Sequence, residues 1–430
     1  MIESVKSIVD LLTQTRYGEV VSSSAYDAIV VGGGPAGSTC AALLGRRGHN
    51  VLLIEKNKFP RDKICGDAVS GKSMKVLNEL GLLQEAESLP HGEIRGVIFS
   101  SPSGEEVRIE FPKNDPIRKG TGYCCRRIYH DNLLFQNAKK YAKTLENFQV
   151  YDLILNGKQV VGVKGRNTET GEEQEFGAKV VVGCDGVGSI VARKTGNAQT
   201  DPKHLCQAFR AYYKNVAGLS DNIEIHFVDS LIPGYFWIFP VGEDSANVGV
   251  GMVMDDVTRK KINLRQALLD IVLTHPRFKD RFKDAIQEEG SVKAWSLPFG
   301  SRLPKCYGDG FVLCGDAASL VDPFSGEGVG NAMTSASIAA KVISQALSEG
   351  DTSAKSLSRY ENALISELKV ELDTSYLLQR LGRVTPILNF IIGKARKSQE
   401  VRETISGMLA NQEAKKEFIS PLFYLRLLLA

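Results

Sequence analysis

Near the start of the chain, Ala28–Val31 and Val51–Ile54 are apolar runs without a polar break, the pattern of strands buried on both faces. Between them Gly32–Gly37 reads as a glycine turn and Ser38–Arg47 as a helix. Lys72–Leu82 has helical periodicity, while Gly96–Ser100 and Glu106–Phe111 alternate like antiparallel strands. Asp131–Ala142 is an amphipathic stretch. Gln149–Gly165 and Gly171–Val182 read as hairpin strands, with Asn156-Gly157 and Thr170-Gly171 as turns. Cys206–Met254 is rich in strand-like runs and predicts a sizeable antiparallel sheet, followed by a helix over Asn263–His275. Within it, alternation along Tyr235–Pro240 puts Tyr235, Trp237 and Phe239 on one face and Phe236 and Ile238 on the other. Such a wall is either core or the lining of a slot for a flat or long apolar ligand. Gly310–Asp316 reads as a buried strand ending in an acid, and a proline-glycine loop then enters a helix over Val329–Leu347. From Ser353 onward the pattern is mostly helical, with Pro386 and Gly393 as interruptions.

This order predicts a mixed α/β (α+β) chain with a Rossmann-like domain, an antiparallel-sheet domain and a C-terminal helical region. Its 430 residues exceed the size at which a single core stops growing. Composition excludes several classes. A net charge of +3, with no basic run interleaved with aromatics, argues against a nucleic-acid partner. The eight cysteines form no CxxC pair and the six histidines no HxxxH or HxH spacing, so neither a disulfide framework nor a metal site is expected. No run reaches the length of a membrane-spanning helix, and Met1–Ser24 lacks the pattern of a secretory signal. A cytoplasmic monomer is the expectation. Val5, Ile8, Val9 and Leu12 share one helical face, predicting a short helix before the first strand. At the other end, Pro386–Ile392 and the terminal PLFYLRLLLA are apolar, beside Lys394, Arg396, Lys397 and Arg402. They form either a helical cap over the core or a peripheral membrane patch that takes up a lipid.

The candidate chemistry begins at the glycine turn. Gly32 permits a tight turn, Gly34 lets a phosphate approach the backbone, and Gly37 lets helix pack on strand; the helix start offers free N–H groups to an anion. Glu55 follows 18 residues after Gly37, where a carboxylate accepts hydrogen bonds from a ribose and repels a 2′-phosphate, so FAD or NAD is favoured over NADP. Asp185-Gly186-Val187-Gly188-Ser189 and the loop from Asp316 through Gly326 and Gly328 each follow a buried strand. Three such strand-end loops fit one crevice at the carboxyl ends of a parallel sheet. Arg127 stands where a guanidinium meets phosphate or ribityl oxygens, with a solvated arginine as the equal alternative. Cys65-Gly66-Asp67-Ala68 looks like backbone brought close to something flat or charged, though spacing alone favours an ordinary loop.

Taken together, GGGPAGS with Glu55, DGVGS, and GDAASLVDPFSGEGVGNAM resemble the three flavin-binding motifs of para-hydroxybenzoate-hydroxylase-type FAD proteins. Within that superfamily, Cys65-Gly66-Asp67-Ala68-Val69-Ser70 and Tyr235-Phe236-Trp237-Ile238-Phe239-Pro240, followed by Gly249-Val250-Gly251, resemble the signature of the geranylgeranyl reductase family. The resemblance covers about residues 26–345. It implies an FAD-binding domain over 26–95, 120–200 and 300–350, a substrate-binding sheet over 96–119 and 201–299, a helical region over 351–430 and an extension over 1–25. It also implies a flavoenzyme that saturates carbon–carbon double bonds of prenyl chains in lipids, quinones or related isoprenoids, by hydride transfer from reduced flavin. FAD contacts fall by position on Ala36, Glu55, Cys65, Gly66, Arg127, Asp316, Gly328 and Val329, beside Gly32, Gly34, Gly37 and Asp185 of the motifs. Tyr235 and Trp237 are implied to line the substrate channel, and Cys65 either relays a proton or shapes the flavin site. With no second glycine fingerprint, NAD(P)H or a ferredoxin-like carrier is expected to deliver electrons transiently. Ala317-Ala318-Ser319 stands where hydroxylases of the superfamily usually carry a histidine, which favours reduction over the alternative of an aromatic or polyketide monooxygenase. A tryptophan halogenase fits less well, because WxWxIP is absent. A flavin-containing lipid carrier without turnover is the reading from another class.

Overall fold

A computed structural model describes residues 26–111 and 122–410. The expected N-terminal helix and the apolar terminal PLFYLRLLLA lie outside these residues. The first sheet runs in the order Tyr307–Gly308, Phe311–Leu313, Glu173–Gly183, Tyr26–Val31, Val51–Ile54, Lys143–Leu145. From Phe311–Leu313 to Lys143–Leu145 all neighbours are parallel. The helices Pro35–Arg46 and Val329–Glu349 pack against each other beside this sheet. Ala28, Ile29, Val30, Val180, Val181 and Val312 are accordingly fully buried, which explains their unbroken apolar runs. The hairpin Phe148–Asn156 and Gln159–Asn167 extends antiparallel from Glu173–Gly183.

The second sheet follows the order Ile286–Gln287, Leu205–Lys214, Ser245–Val253, Tyr235–Pro240, Asn222–His226, Gly96–Ser100, Glu106–Glu110, with Lys293–Pro298 also paired to Leu205–Lys214. It is not purely antiparallel. Gly96–Ser100 pairs parallel with Asn222–His226, because the two strands come from distant parts of the chain and no hairpin fixes their sense. On one face Phe236, Ile238, Val248 and Val250 pack with Leu264, Leu268 and Ile271 of the helix Leu264–Thr274. The other face meets the C-terminal helices Ala354–Leu381 and Thr385–Lys397.

Several element ends differ from expectation for identifiable reasons. The first helix starts at Pro35 rather than Ser38, since proline at the first helical position costs no hydrogen bond. The next helix spans Gly71–Leu80, capped by the Ser70 hydroxyl and ended by left-handed Gly81 at φ 70°. Gly393 interrupts nothing: the helix Thr385–Lys397 runs through it, and the break falls before Pro386, at Gly382–Val384.

Candidate functional site

The three strand-end loops sit side by side because their strands are adjacent and parallel. Gly32, at φ 101°, lies against Cys184 and Asp185, where a Cβ would strike backbone. A Cβ on Gly37 would run into the carbonyl oxygen of Gly32, whereas Gly34 faces open space, with the Arg61 guanidinium nearest at 3.6 Å. No side chain of the described residues caps the helix that begins here, which leaves its first N–H groups available to an anion. Ala36 lies 3.4 Å from where a Cβ on Gly315 would sit, which joins the first loop to the third. There the carboxylate of Asp316 is 3.7 Å from a Cβ position on Gly328, and Val329 opens its helix buried.

Charge is distributed around this cradle by buried pairs. Glu55 is buried; its two oxygens accept from the backbone N–H groups of Gly33 at 2.8 Å and Asn57 at 3.0 Å. Arg127 is not solvated but buried, and it forks onto Asp131, which also accepts from Arg61 at 2.8 Å. Burial alone would push the Asp131 carboxyl up; Arg127, His130 and Arg61 instead hold it well below the usual carboxylate range. Lys63 points toward Asp316 at 4.0 Å, and burial depresses its ammonium despite that partner. Asp185 turns its Oδ2 to the N–H of Ile190 at 2.6 Å and leaves Oδ1 buried without a hydrogen-bond partner among the described residues. Burial raises this carboxyl against the pull of Ser189 and Ile190.

The loop Cys65–Asp67 connects the cradle to the second sheet through a network that the sequence motifs did not single out. Asn247 donates from Nδ2 to the Cys65 carbonyl at 2.6 Å and to Asp67 Oδ2 at 2.8 Å, and accepts from Trp237 Nε1 at 2.9 Å. Tyr212 donates to the same Asp67 oxygen at 2.6 Å, and the guanidiniums of Arg126 and Arg210 each lie 4.1 Å from its ring centroid. Asp67 adopts φ 71° and is buried with Oδ1 unpartnered; burial raises its carboxyl, opposed by Tyr212 and Asn247. A side chain at Gly66 would crowd Phe239, whose ring would stand 3.1 Å from its Cβ. Tyr235 donates to the Ser325 carbonyl at 3.2 Å, tying the sheet to the third loop. The signal that could have exposed this network is Asn247 itself, one amide in an otherwise apolar and glycine-rich strand.

From these residues a cavity of about 980 Å³ extends between the sheet and the C-terminal helices. Tyr235, Trp237, Phe239, Val97, Phe99 and Ile225 form one wall, and Leu378, Leu381, Ile387, Leu388, Ile391 and Ile392 the other. Cys65, Gly66, Gly328 and Val329 also line it, so predicted cofactor and substrate residues share one space. The aromatic strand is therefore both things at once: slot on the face of Tyr235, Trp237 and Phe239, core on the face of Phe236 and Ile238.

A family model described as FAD binding domain matches residues 25–364. The chain is 32% identical over 83% of its length to digeranylgeranylglycerophospholipid reductase of Methanocella arvoryzae, covering 87% of that protein. It is 30% identical over 82% of its length to conditioned medium factor receptor 1 of Dictyostelium discoideum, covering 70% of that protein. A geranylgeranyl bacteriochlorophyll reductase-like protein from Thermoplasma acidophilum superposes with a TM-score of 0.78 at 24% identity, over 91% of this chain and 98% of that one; this likeness speaks to fold alone. Flavin-dependent halogenases share the same fold. FAD fits the residues present: a helix start over bare Gly34 that no side chain of the described residues caps, and a buried Glu55 at the next strand end.

Proposed function

The chain belongs to the geranylgeranyl reductase family of FAD-dependent oxidoreductases, and on that premise we propose that it saturates carbon–carbon double bonds in a prenyl chain of a lipid, quinone or related isoprenoid. One observation carries this reading: a single cavity is lined both by Cys65, Gly66 and Val329 and by aromatic and aliphatic walls. An isolated alkene offers no group to polarise, so its reduction asks for a dry slot that holds the bond still rather than for a polar clamp.

In this reading Gly32, Gly34, Ala36 and Gly37 receive the pyrophosphate and Glu55 a ribose. Arg127, Asp185, Asp316, Gly328 and Val329 complete the cradle around the rest of FAD. When bound and reduced, FAD supplies the hydride. The chain's own residues supply the rest. Tyr235 and Trp237 hold the chain and present ring faces to positive charge developing at the alkene carbon. Cys65 and Asp67 are two of the groups lining the cavity that can hold a proton, and Asp67 Oδ1 has no competing partner among the described residues. Asn247 fixes both by gripping the Cys65 carbonyl and Asp67 Oδ2. The reductant is a transient visitor, NAD(P)H or a ferredoxin-like carrier.

Mass spectrometry of lipids and quinones from a deletion strain tests the assignment. Loss of the protein should leave an isoprenoid lighter by two hydrogens for each bond it reduces. Unchanged isoprenoid masses would overturn it.

A further inference from the structure

We propose that the outer surface of the helical pair Ala354–Leu381 and Thr385–Lys397 docks on an anionic lipid bilayer, so that a membrane-held chain enters the cavity between these helices. Only the nature of the delivered chain rests on the reductase reading; the docking itself stands on other observations. Between residues 374 and 399 there is no Asp or Glu, against five cations: Arg380, Arg383, Lys394, Arg396 and Lys397. Two of them serve the fold, Arg383 on the buried Asp256 and Arg396 on Glu105. Arg380, Lys394 and Lys397 have no carboxylate partner among the described residues.

Helical periodicity sorts the rest. On Thr385–Lys397, the stripe Pro386, Phe390, Gly393 and Lys397, with Lys394 beside it, stands opposite the stripe of Leu388, Ile391, Ile392 and Ala395 that lines the cavity. Phe390 is 39% exposed, and Leu377 and Val384, which precede it on the pair, are 38% and 44% exposed. Lys394 lies 6.0 Å from the Phe390 ring centroid, so its ammonium is carried at the edge of the apolar patch. A segment free of acids from 374 to 399, with apolar side chains and long cationic ones and with exposed Asp373 just before it and Glu105 held on Arg396, suits the headgroup boundary of an anionic bilayer, where the apolar residues sink and the ammonium groups stay at the phosphates. Leu381, Ile387 and Ile391 are each half-buried and line the cavity, so its apolar wall reaches the surface on this same pair of helices. No helix of the described residues is long and apolar enough to cross a membrane. Docking is then the way in for a chain anchored in lipid.

The test is co-sedimentation of the full chain with vesicles of pure phosphatidylcholine or of phosphatidylcholine with phosphatidylglycerol. Wild type should partition at least tenfold better onto the anionic vesicles, and the double variant Lys394→Glu/Lys397→Glu should lose that preference. Phe390→Ser should weaken binding to anionic vesicles without abolishing it. In a paired assay, the charge-reversed variant should reduce a detergent-dispersed prenyl substrate at the wild-type rate and a vesicle-embedded one at least tenfold more slowly. Equal partition of wild type onto both vesicles, or unchanged binding by the double variant, would overturn the proposal. So would a gel-filtration dimer that Phe390→Ser converts to monomer, since the patch would then be covered by a second copy. Charge-dependent vesicle binding without any prenyl reduction would leave docking standing and remove the reductase reading.

Discussion

The cofactor cradle and the cavity wall meet at Cys65, yet they are made differently. The cradle is a backbone device, and its selective positions are those where a side chain is forbidden or a helix start left bare. The wall is a side-chain device of rings and aliphatics from one sheet face and the C-terminal helices, with Trp237 and the Cys65 loop joined through the Asn247 amide. Their carboxylates differ in the same sense. Asp131, beside the cradle, is kept ionised by two arginines, as suits a region that receives an anion. Asp67, at the wall, is pushed toward its neutral form by burial, as suits a dry slot that needs a proton. The two regions thus hold carboxylates of opposite tendency, ionised at the cradle and favouring the proton at the wall.

The sharpest way to break this contrast is at the glycines. Gly37→Val should abolish flavin retention and folding together, because the clash is with the Gly32 carbonyl, which cannot rotate away. Gly34→Ala should fold normally and lose flavin, because its Cβ meets only open space where the phosphate belongs. Absorbance after desalting, with circular dichroism, separates the two; equal behaviour would count against a backbone-built cradle.

The two carboxylates come next. Asp131→Asn removes the partner of two arginines and should cost about 3–5 kcal/mol at neutral pH. The native carboxyl lies below its unfolded value of 3.8, so the stability it contributes is present above that value and is lost as pH falls beneath it; the gap to the variant should narrow there. Asp67→Asn should show the reverse sign. The native carboxyl lies above 3.8, so wild type loses stability relative to the variant as pH rises from 3.8 through the raised value. Denaturant melts across pH read both; parallel curves would erase the distinction. The smallest effect is expected where the regions join. Asn247→Leu should cost about 1–3 kcal/mol by stranding Trp237 Nε1 and the Cys65 carbonyl. It should also lower kcat and raise KM together, since it frees both the Cys65–Asp67 loop and Trp237 of the wall.

The same contrast explains what could be read from the chain. The cradle was legible because glycines forced by local sterics recur at fixed spacing, and because Val30, Val181 and Val312 sit in runs buried on both faces. The FAD reading followed from those motifs, and the family from Cys65–Ser70 and Tyr235–Pro240 with Gly249 and Gly251. The network behind Cys65 was not legible, because Asp67 and Asn247 are 180 residues apart and meet only when the second sheet closes over the loop. Alternation along Tyr235–Pro240 showed two faces but not which was core, since burial of either depends on what packs against it. Gly393 misled because a glycine within a packed helix is tolerated where neighbouring turns keep their bonds.

The most direct test of the central claim is anaerobic turnover by the purified flavoprotein, reduced with dithionite and mixed with a geranylgeranyl-bearing lipid. The account predicts reoxidation of the flavin coupled to product heavier by two hydrogens per saturated bond, without oxygen. Flavin that stays reduced until air is admitted, followed by an oxygenated product, would contradict it.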